Sequence, residues 1–146
     1  CRTSLNSRST AMDIRVYDFK VMGDDRGSLL AIEGNMDIPF DIKRIYYIFA
    51  VQQGMRRGCH AHRELKQVLI CVSGSCKILL DDGRTKETVL LDSPSRGLLI
   101  DKMLWREMYD FSPDAVLLVL ASEHYSESDY VRDYDRFLDI VNGRVG

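Results

Sequence analysis

Two histidines one residue apart, His60 and His62, are the pair in this chain best suited to chemistry. An imidazole titrates near neutrality, so it can take a proton and return it, and it can also ligate a metal. On a strand successive side chains alternate faces, so these two point the same way. The run Gln67-Val68-Leu69-Ile70-Cys71-Val72 follows, short, apolar and β-branched, and closes on the turn signal Ser73-Gly74. The pair is therefore expected side by side at the end of apolar strands inside a β structure. Cys59 is next in sequence, but strand parity turns it away from the face of His60, which argues against a thiol nucleophile.

Gly54, His60, His62, Gln67 and Gly74 are spaced as in the first motif of the cupins, small β-barrels, and the chain resembles them there. In metal-binding cupins two histidines, a glutamate and a later histidine hold the ion. Here Gln67 stands in the place of the glutamate. The region of the second motif, Gly97 to Tyr109, has no histidine, and Arg106, just after Trp105, takes the ligand position. A guanidinium stays protonated and has no lone pair to give. Two imidazoles and an amide are a weak donor set for a divalent ion, and His124 lies away from the expected position. The expectation is no metal and no cofactor. Two histidines, a tyrosine, an indole and a guanidinium remain, a set suited to proton transfer with donors for an enediolate oxygen or a phosphate. The alternative is a pair of hydrogen-bonded core histidines; Arg57 beside them favours a site.

The elements that must hold these residues are strands. A chain of 146 residues has room for one domain with a proper core. A net charge of −2 gives no general field for nucleic acid. No apolar run approaches the roughly 18 residues that span a bilayer, and no signal-peptide pattern opens the chain, so the expected location is cytoplasmic. Cys1, Cys59, Cys71 and Cys76 form no C-x-x-C pair; Cys71 and Cys76, flanking a turn inside apolar strands, read as buried free thiols. Residues 1–11 are polar and aperiodic and read as a disordered leader; 12–146 read as one domain.

Alternation from Ile14 to Met22 predicts a first strand, Gly23 to Gly27 a turn, and Ser28 to Glu33 a second strand. Arg26 on that turn is either a solvated arginine or a group at the barrel mouth. Ile42 to Val51 is a long β run in which Tyr46 and Tyr47 face opposite sides, so only one looks inward. Asp82-Gly83 between apolar runs predicts a hairpin joining Ser75–Asp81 to Glu87–Leu91. Leu98 to Ile100, Leu104 to Phe111 and Ala115 to Ser122 complete the strands. Tyr130, Tyr134, Phe137 and Val141 have the spacing of a short amphipathic helix. Many short strands with Gly, Pro and Asp turns give an all-β class: a cupin or jelly-roll barrel with a short C-terminal helix.

Arg57-Gly58-Cys59-His60-Ala61-His62, Gln67-Val68-Leu69, Ser73-Gly74-Ser75-Cys76, Leu91-Asp92-Ser93-Pro94, Trp105-Arg106-Glu107-Met108 and Asp129-Tyr130-Val131-Arg132-Asp133-Tyr134-Asp135 together resemble the cupin-fold sugar 3,4-ketoisomerases that act on dTDP-4-keto-6-deoxyglucose. The likeness runs from about Val16 to Phe137. It implies a homodimer of jelly-roll subunits with exchanged edge strands, no metal, and a 3-keto product passed to an aminotransferase. Such 3-amino-3,6-dideoxy sugars enter glycans such as lipopolysaccharide or S-layer chains. The resemblance assigns the base to His62, with His60 as shuttle or orienting partner, and the oxyanion donor to Tyr46. Arg57, Arg26, Gln67, Trp105 and Arg106 are the expected substrate contacts. In this family the residues at the Arg26 and Arg106 positions differ with the carbon-4 configuration of the product, and this chain mixes the two groups. The competing readings are a nucleotide-sugar-binding cupin without catalysis and a 3,5-epimerase-type cupin; the string from Arg57 to His62 favours the ketoisomerase.

Overall fold

A computed structural model describes residues 12–143, so the expected leader at 1–11 lies outside the described residues. The chain forms β1 Arg15–Asp18, β2 Met22–Asp24, β3 Gly27–Leu29, β4 Arg44–Phe49, β5 Arg57–His62, β6 Gln67–Ser73, β7 Cys76–Asp81, β8 Lys86–Leu91, β9 Arg96–Ile100, β10 Trp105–Tyr109, β11 Val116–Ala121, β12 Tyr130–Val131 and the helix α1 Tyr134–Val141. Two antiparallel five-stranded sheets result, ordered β1-β9-β6-β11-β4 and β12-β5-β10-β7-β8, with β2 and β3 as a separate hairpin. The all-β architecture with a short C-terminal helix is the one expected.

Alternation builds the core between the two sheets. Leu69 and Cys71 of β6, Leu117 and Val119 of β11 and Leu98 and Ile100 of β9 meet Ile78 and Leu80 of β7, Leu91 of β8 and Met108 of β10, all at most 1% exposed. Each such side chain contributes about 1.5–3 kcal/mol relative to exposure. Cys71 and Cys76 are buried free thiols within it. The hairpin of β7 and β8 turns where Asp82-Gly83 predicts: the Asp82 carboxylate accepts from the backbone N–H groups of Arg84 and Thr85, each at 2.8 Å.

Three elements depart from the sequence expectation, among them the second strand, expected over Ser28 to Glu33, which ends at Leu29. The expected first strand, Ile14 to Met22, ends at Asp18, and the chain re-enters β structure only in the β2–β3 hairpin. At the other end the helix begins at Tyr134, not Tyr130. Asp133 caps it, its carboxylate accepting from Asp135 N–H at 3.1 Å. Tyr130 and Val131 instead pair with His62 and Ala61 as an edge strand. The helix closes over this edge: Phe137, fully buried, packs with Ala61, Trp105 and Val131.

Candidate active site

The pairing of β5 with β10 positions the two histidines. Its register shifts between Arg106 and Glu107, so that Arg106 faces His60 while Glu107 faces Gly58. The extra residue is Cys59, at φ 57°, behind Gly58 at φ 83°. Left-handed backbone costs a non-glycine residue about 1–2 kcal/mol, and bulges that carry such strain re-aim side chains beside functional sites. Beyond the bulge parity holds. Cys59 and Ala61 pack outward against Trp105 and Phe137, and His60 and His62 turn into the barrel with ring centroids 4.7 Å apart, edge to face.

The two imidazoles differ in their partners. Nδ1 of His62 lies 3.1 Å from Oδ2 of Asp129. That carboxylate also accepts from the backbone N–H groups of Glu64 at 2.7 Å and Leu65 at 3.3 Å. Held by fixed donors, Asp129 sets His62 with its proton on Nδ1 and a bare lone pair on Nε2. Nε2 of His62 and both ring nitrogens of His60 are buried without a hydrogen-bond partner. Buried polar atoms are nearly always paired, so three unpartnered ring nitrogens on two adjacent imidazoles mark the pair as functional rather than structural.

Burial, reinforced by the nearby Arg106 guanidinium, pushes His60 down from 6.5 to about 4. The same causes, with His60 adding to them, push His62 down to about 2. Both rings are therefore neutral at physiological pH, the state a general base requires. The shift also acts on stability. As pH falls below about 6.5 the unfolded chain takes up protons that the folded one refuses, so stability declines until the folded imidazoles titrate. The thermal midpoint should fall steadily from about pH 6.5 toward 4. A midpoint that stays level across that window would mean the two rings are not held neutral by the fold.

Behind the histidines runs a buried polar chain. Arg106, with no exposed surface, donates from Nη1 to Gln67 Oε1 at 2.6 Å and from Nε and Nη2 to the Leu104 carbonyl at 3.2 and 2.9 Å. Burial lowers its pKa to about 10, so it remains a cation at neutral pH. Gln67 in turn donates from Nε2 to the Tyr46 hydroxyl at 3.0 Å. Tyr46 is the inward tyrosine of β4 and Tyr47 the outward one, 59% exposed; desolvation raises the Tyr46 pKa, keeping the phenol protonated.

The structure places the sequence candidates unequally. His60, Tyr46 and Arg57 line one cavity of about 540 Å³. Gln67 and Arg106, expected to touch the substrate, have no exposed surface and sit one layer back. Trp105, expected to stack on sugar or base, is not in the cavity. It neighbours Arg106 on β10 and so faces the opposite side, packed edge to face on Tyr134 at 5.2 Å, its indole N–H donating to Glu107 at 2.8 Å. Arg26 lies on the β2–β3 turn, paired with Asp24 at 2.6 Å and apart from the histidines of its own chain.

Three residues not singled out from sequence complete the wall. Tyr130, carried by β12, covers both imidazoles with centroid separations of 5.0 Å to His60 and 4.3 Å to His62. Arg132 lies 4.1 Å over its ring, and Arg44 lies 4.7 Å over the Tyr46 ring. Tyr130 and Arg44 also border a second opening of about 510 Å³, onto which His62 and Asp129 face. A neutral imidazole, a phenol and a buried guanidinium around a cavity rimmed with arginines can move a carbon-bound proton and hold an anion. Among the described residues no group of three or more His, Cys, Asp or Glu side chains is arranged to hold a metal ion.

Comparison with known proteins agrees in length and in fold. The family model described as FdtA, WxcM-like, C-terminal, matches residues 12–142. The TDP-4-oxo-6-deoxy-alpha-D-glucose-3,4-oxoisomerase of Aneurinibacillus thermoaerophilus is 52% identical over 126 residues, 86% of this chain and 91% of that one. A 3,4-ketoisomerase from Helicobacter canadensis superposes with a TM-score of 0.87 at 53% identity, covering 90% of this chain and 98% of its own. A histidine-to-asparagine mutant of the 3,4-ketoisomerase QdtA from Thermoanaerobacterium thermosaccharolyticum, in complex with TDP-4-keto-6-deoxyglucose, gives 0.87 at 48% identity, covering 90% and 95%.

Proposed function

The chain belongs to the FdtA family, WxcM-like, C-terminal, and from that membership we propose that it converts TDP-4-keto-6-deoxyglucose to a TDP-3-keto-6-deoxyhexose. It is an isomerase, moving a carbonyl from carbon 4 to carbon 3 of the sugar. The observation that carries the reading is the meeting of orphaned neutral imidazoles with an inward phenol over a buried guanidinium.

The chemistry follows from those groups. Carbon 3 bears a hydrogen made acidic by the neighbouring carbonyl. An imidazole takes that proton, the electron pair enters the bond between carbons 3 and 4, and the carbonyl oxygen becomes the oxygen of an enediolate. Tyr46 donates to that oxygen, and the Arg106 charge behind it favours the developing anion in a low-dielectric setting. Protonation of the carbon-4 oxygen, return of a proton to carbon 4 and loss of the hydroxyl proton at carbon 3 then place the carbonyl at carbon 3 and leave a hydroxyl at carbon 4. The resemblance assigns the base to His62; burial favours His60 at the sugar. The His62 side chain is 0% exposed, whereas His60 shares its cavity with Tyr46 and Arg57. His60 then takes the carbon-3 proton, and His62, steadied by Asp129, serves the second transfer. Arg57, with Arg44 and Arg132 on the same cavity, is placed for the pyrophosphate.

The test is proton NMR of TDP-4-keto-6-deoxyglucose with the purified protein in D₂O. The carbon-3 signal should disappear as a 3-keto product forms, and the carbon-4 couplings of that product give its configuration. Binding with an unchanged spectrum would leave a nucleotide-sugar-binding cupin, and inversion at carbons 3 and 5 would make it an epimerase.

The working unit in this reading is a homodimer. The outward face of β4 exposes Ile45, Tyr47 and Phe49 at 58%, 59% and 62%. Beside it Val21, just before the hairpin, and Leu29 within it border an apolar groove of about 400 Å³ with Ile70, Val72 and Leu118. Apolar surface of this extent on one face favours association, and hairpin exchange would carry Arg26 to the neighbour. Light scattering should give twice the 16.8 kDa chain mass; a monomer would remove the dimer and the role of Arg26 with it. A 3-keto sugar suits a pyridoxal-type aminotransferase as the next enzyme, in the cytoplasm. No helix among the described residues is long and apolar enough to cross a membrane. Recovery of the native enzyme in a membrane or secreted fraction would contradict that location.

A further inference from the structure

Tyr46 can donate to a substrate oxygen only if its own O–H bond points into the cavity, and two residues with no exposed surface determine where it points. A guanidinium has donors only. Because Arg106 Nη1 lies 2.6 Å from the Gln67 side chain, the amide oxygen must be the atom that faces it. The NH₂ end must then face the other way, toward the Tyr46 hydroxyl at 3.0 Å. An amide NH₂ is likewise only a donor, so the phenol oxygen accepts there and keeps its own proton for another partner. This polarity follows from the guanidinium alone. The two bonds from Arg106 to the Leu104 carbonyl prevent it from swinging away.

We propose that Gln67 is a positioning residue: locked by Arg106, its amide occupies a lone pair of the Tyr46 phenol and so directs the phenol's proton at the substrate oxygen. The inference rests on the ketoisomerase reading and deepens it. A carboxylate in place of the amide would accept from Arg106 and from Tyr46 alike. The phenol proton would turn inward and a lone pair would face the enediolate oxygen, repelling the charge it should stabilise.

The test compares Gln67→Glu with Gln67→Met, assayed for kcat and KM with TDP-4-keto-6-deoxyglucose, each with and without Tyr46→Phe. The glutamate variant keeps shape and both hydrogen-bonded contacts and gives the buried guanidinium a counter-charge, so it should melt no lower than the parent. Its kcat should nevertheless fall by about 10²-fold with KM held within about threefold. The methionine variant loses both bonds and should melt lower, yet lose only about tenfold in kcat, because the phenol proton is no longer claimed. A purely structural role predicts the opposite order, with the better-bonded glutamate variant the more active. Adding Tyr46→Phe to Gln67→Glu should cost less than about threefold more, since the two changes remove one interaction.

A glutamate variant with kcat within about threefold of the parent, or full additivity with Tyr46→Phe, overturns the proposal. Should that variant not fold, the methionine variant decides: a kcat about tenfold lower at constant KM supports the proposal, and an unchanged kcat overturns it. Tyr46→Phe that alone leaves kcat unchanged instead removes the oxyanion role of Tyr46, a failure of the underlying reading rather than of the Gln67 relay.

Discussion

Replacing His60 with asparagine should abolish exchange of the carbon-3 proton and lower turnover by about 10⁴-fold, with the nucleotide sugar still bound. Asparagine keeps a polar group near the first ring nitrogen and brings no charge, so the barrel has little reason to collapse. It has no basic lone pair, and the proton at carbon 3 then has nowhere to go. His62→Asn should behave differently. With His60 intact, carbon-3 exchange in D₂O should persist while the 3-keto product fails to accumulate. NMR of both variants under one set of conditions separates the two roles. Loss of exchange in the His62 variant alone would return the base to His62, the assignment made from resemblance. Ordinary turnover in both would remove the site. Either variant should also flatten the fall of the thermal midpoint below about pH 6.5, because that fall comes from imidazoles the fold keeps unprotonated.

The sequence was most readable where one local rule acted alone. Parity along a strand turned His60 and His62 inward and Cys59 outward, and it survived the bulge because the irregularity ends before His60. The Asp82-Gly83 hairpin rests on short-range hydrogen bonds that the two residue types announce. Parity also applied to Trp105 and Arg106, which as neighbours on one strand cannot both face the cavity. Arg106 turns toward the histidines, and the indole, expected as a substrate contact, lies under the helix.

Where two rules competed, the longer-range one prevailed. Tyr130, Tyr134, Phe137 and Val141 keep helical spacing, yet Asp133 caps the helix four residues later than that pattern suggests. The freed edge of β5 takes Tyr130 and Val131 as strand partners, and this places Tyr130 over the histidines. A cap signal at Asp133 was available in the sequence; the open strand edge was not. Arg26 shows a further limit. Its turn is plain in the residues, but where a hairpin tip reaches in an assembly depends on surfaces from another copy.

Asp129 had no local signal, being 67 residues from the ring it holds, and its replacement carries the second large expected effect. Asp129→Asn keeps Oδ1 to accept from Glu64 N–H at 2.7 Å and gives up only the longer bond, 3.3 Å from Leu65 N–H to Oδ2, so the loop after β5 should stay in place. What changes is the group offered to His62 Nδ1. An amide whose oxygen serves the backbone presents its NH₂ to the ring, and two donors cannot meet. His62 must then move its proton to Nε2, which removes the lone pair that faces the site. Turnover should fall by about 10³-fold with KM nearly unchanged, the pattern of a ring held in the wrong tautomer. Nitrogen-15 NMR of the imidazole would show the proton moving from Nδ1 to Nε2. A variant with the original tautomer and full turnover would reduce Asp129 to a loop anchor. Asp129→Glu separates the remaining cases: the charge is kept and the reach changed, so partial recovery would show that the ring needs a carboxylate, and no recovery that it needs this one at 3.1 Å.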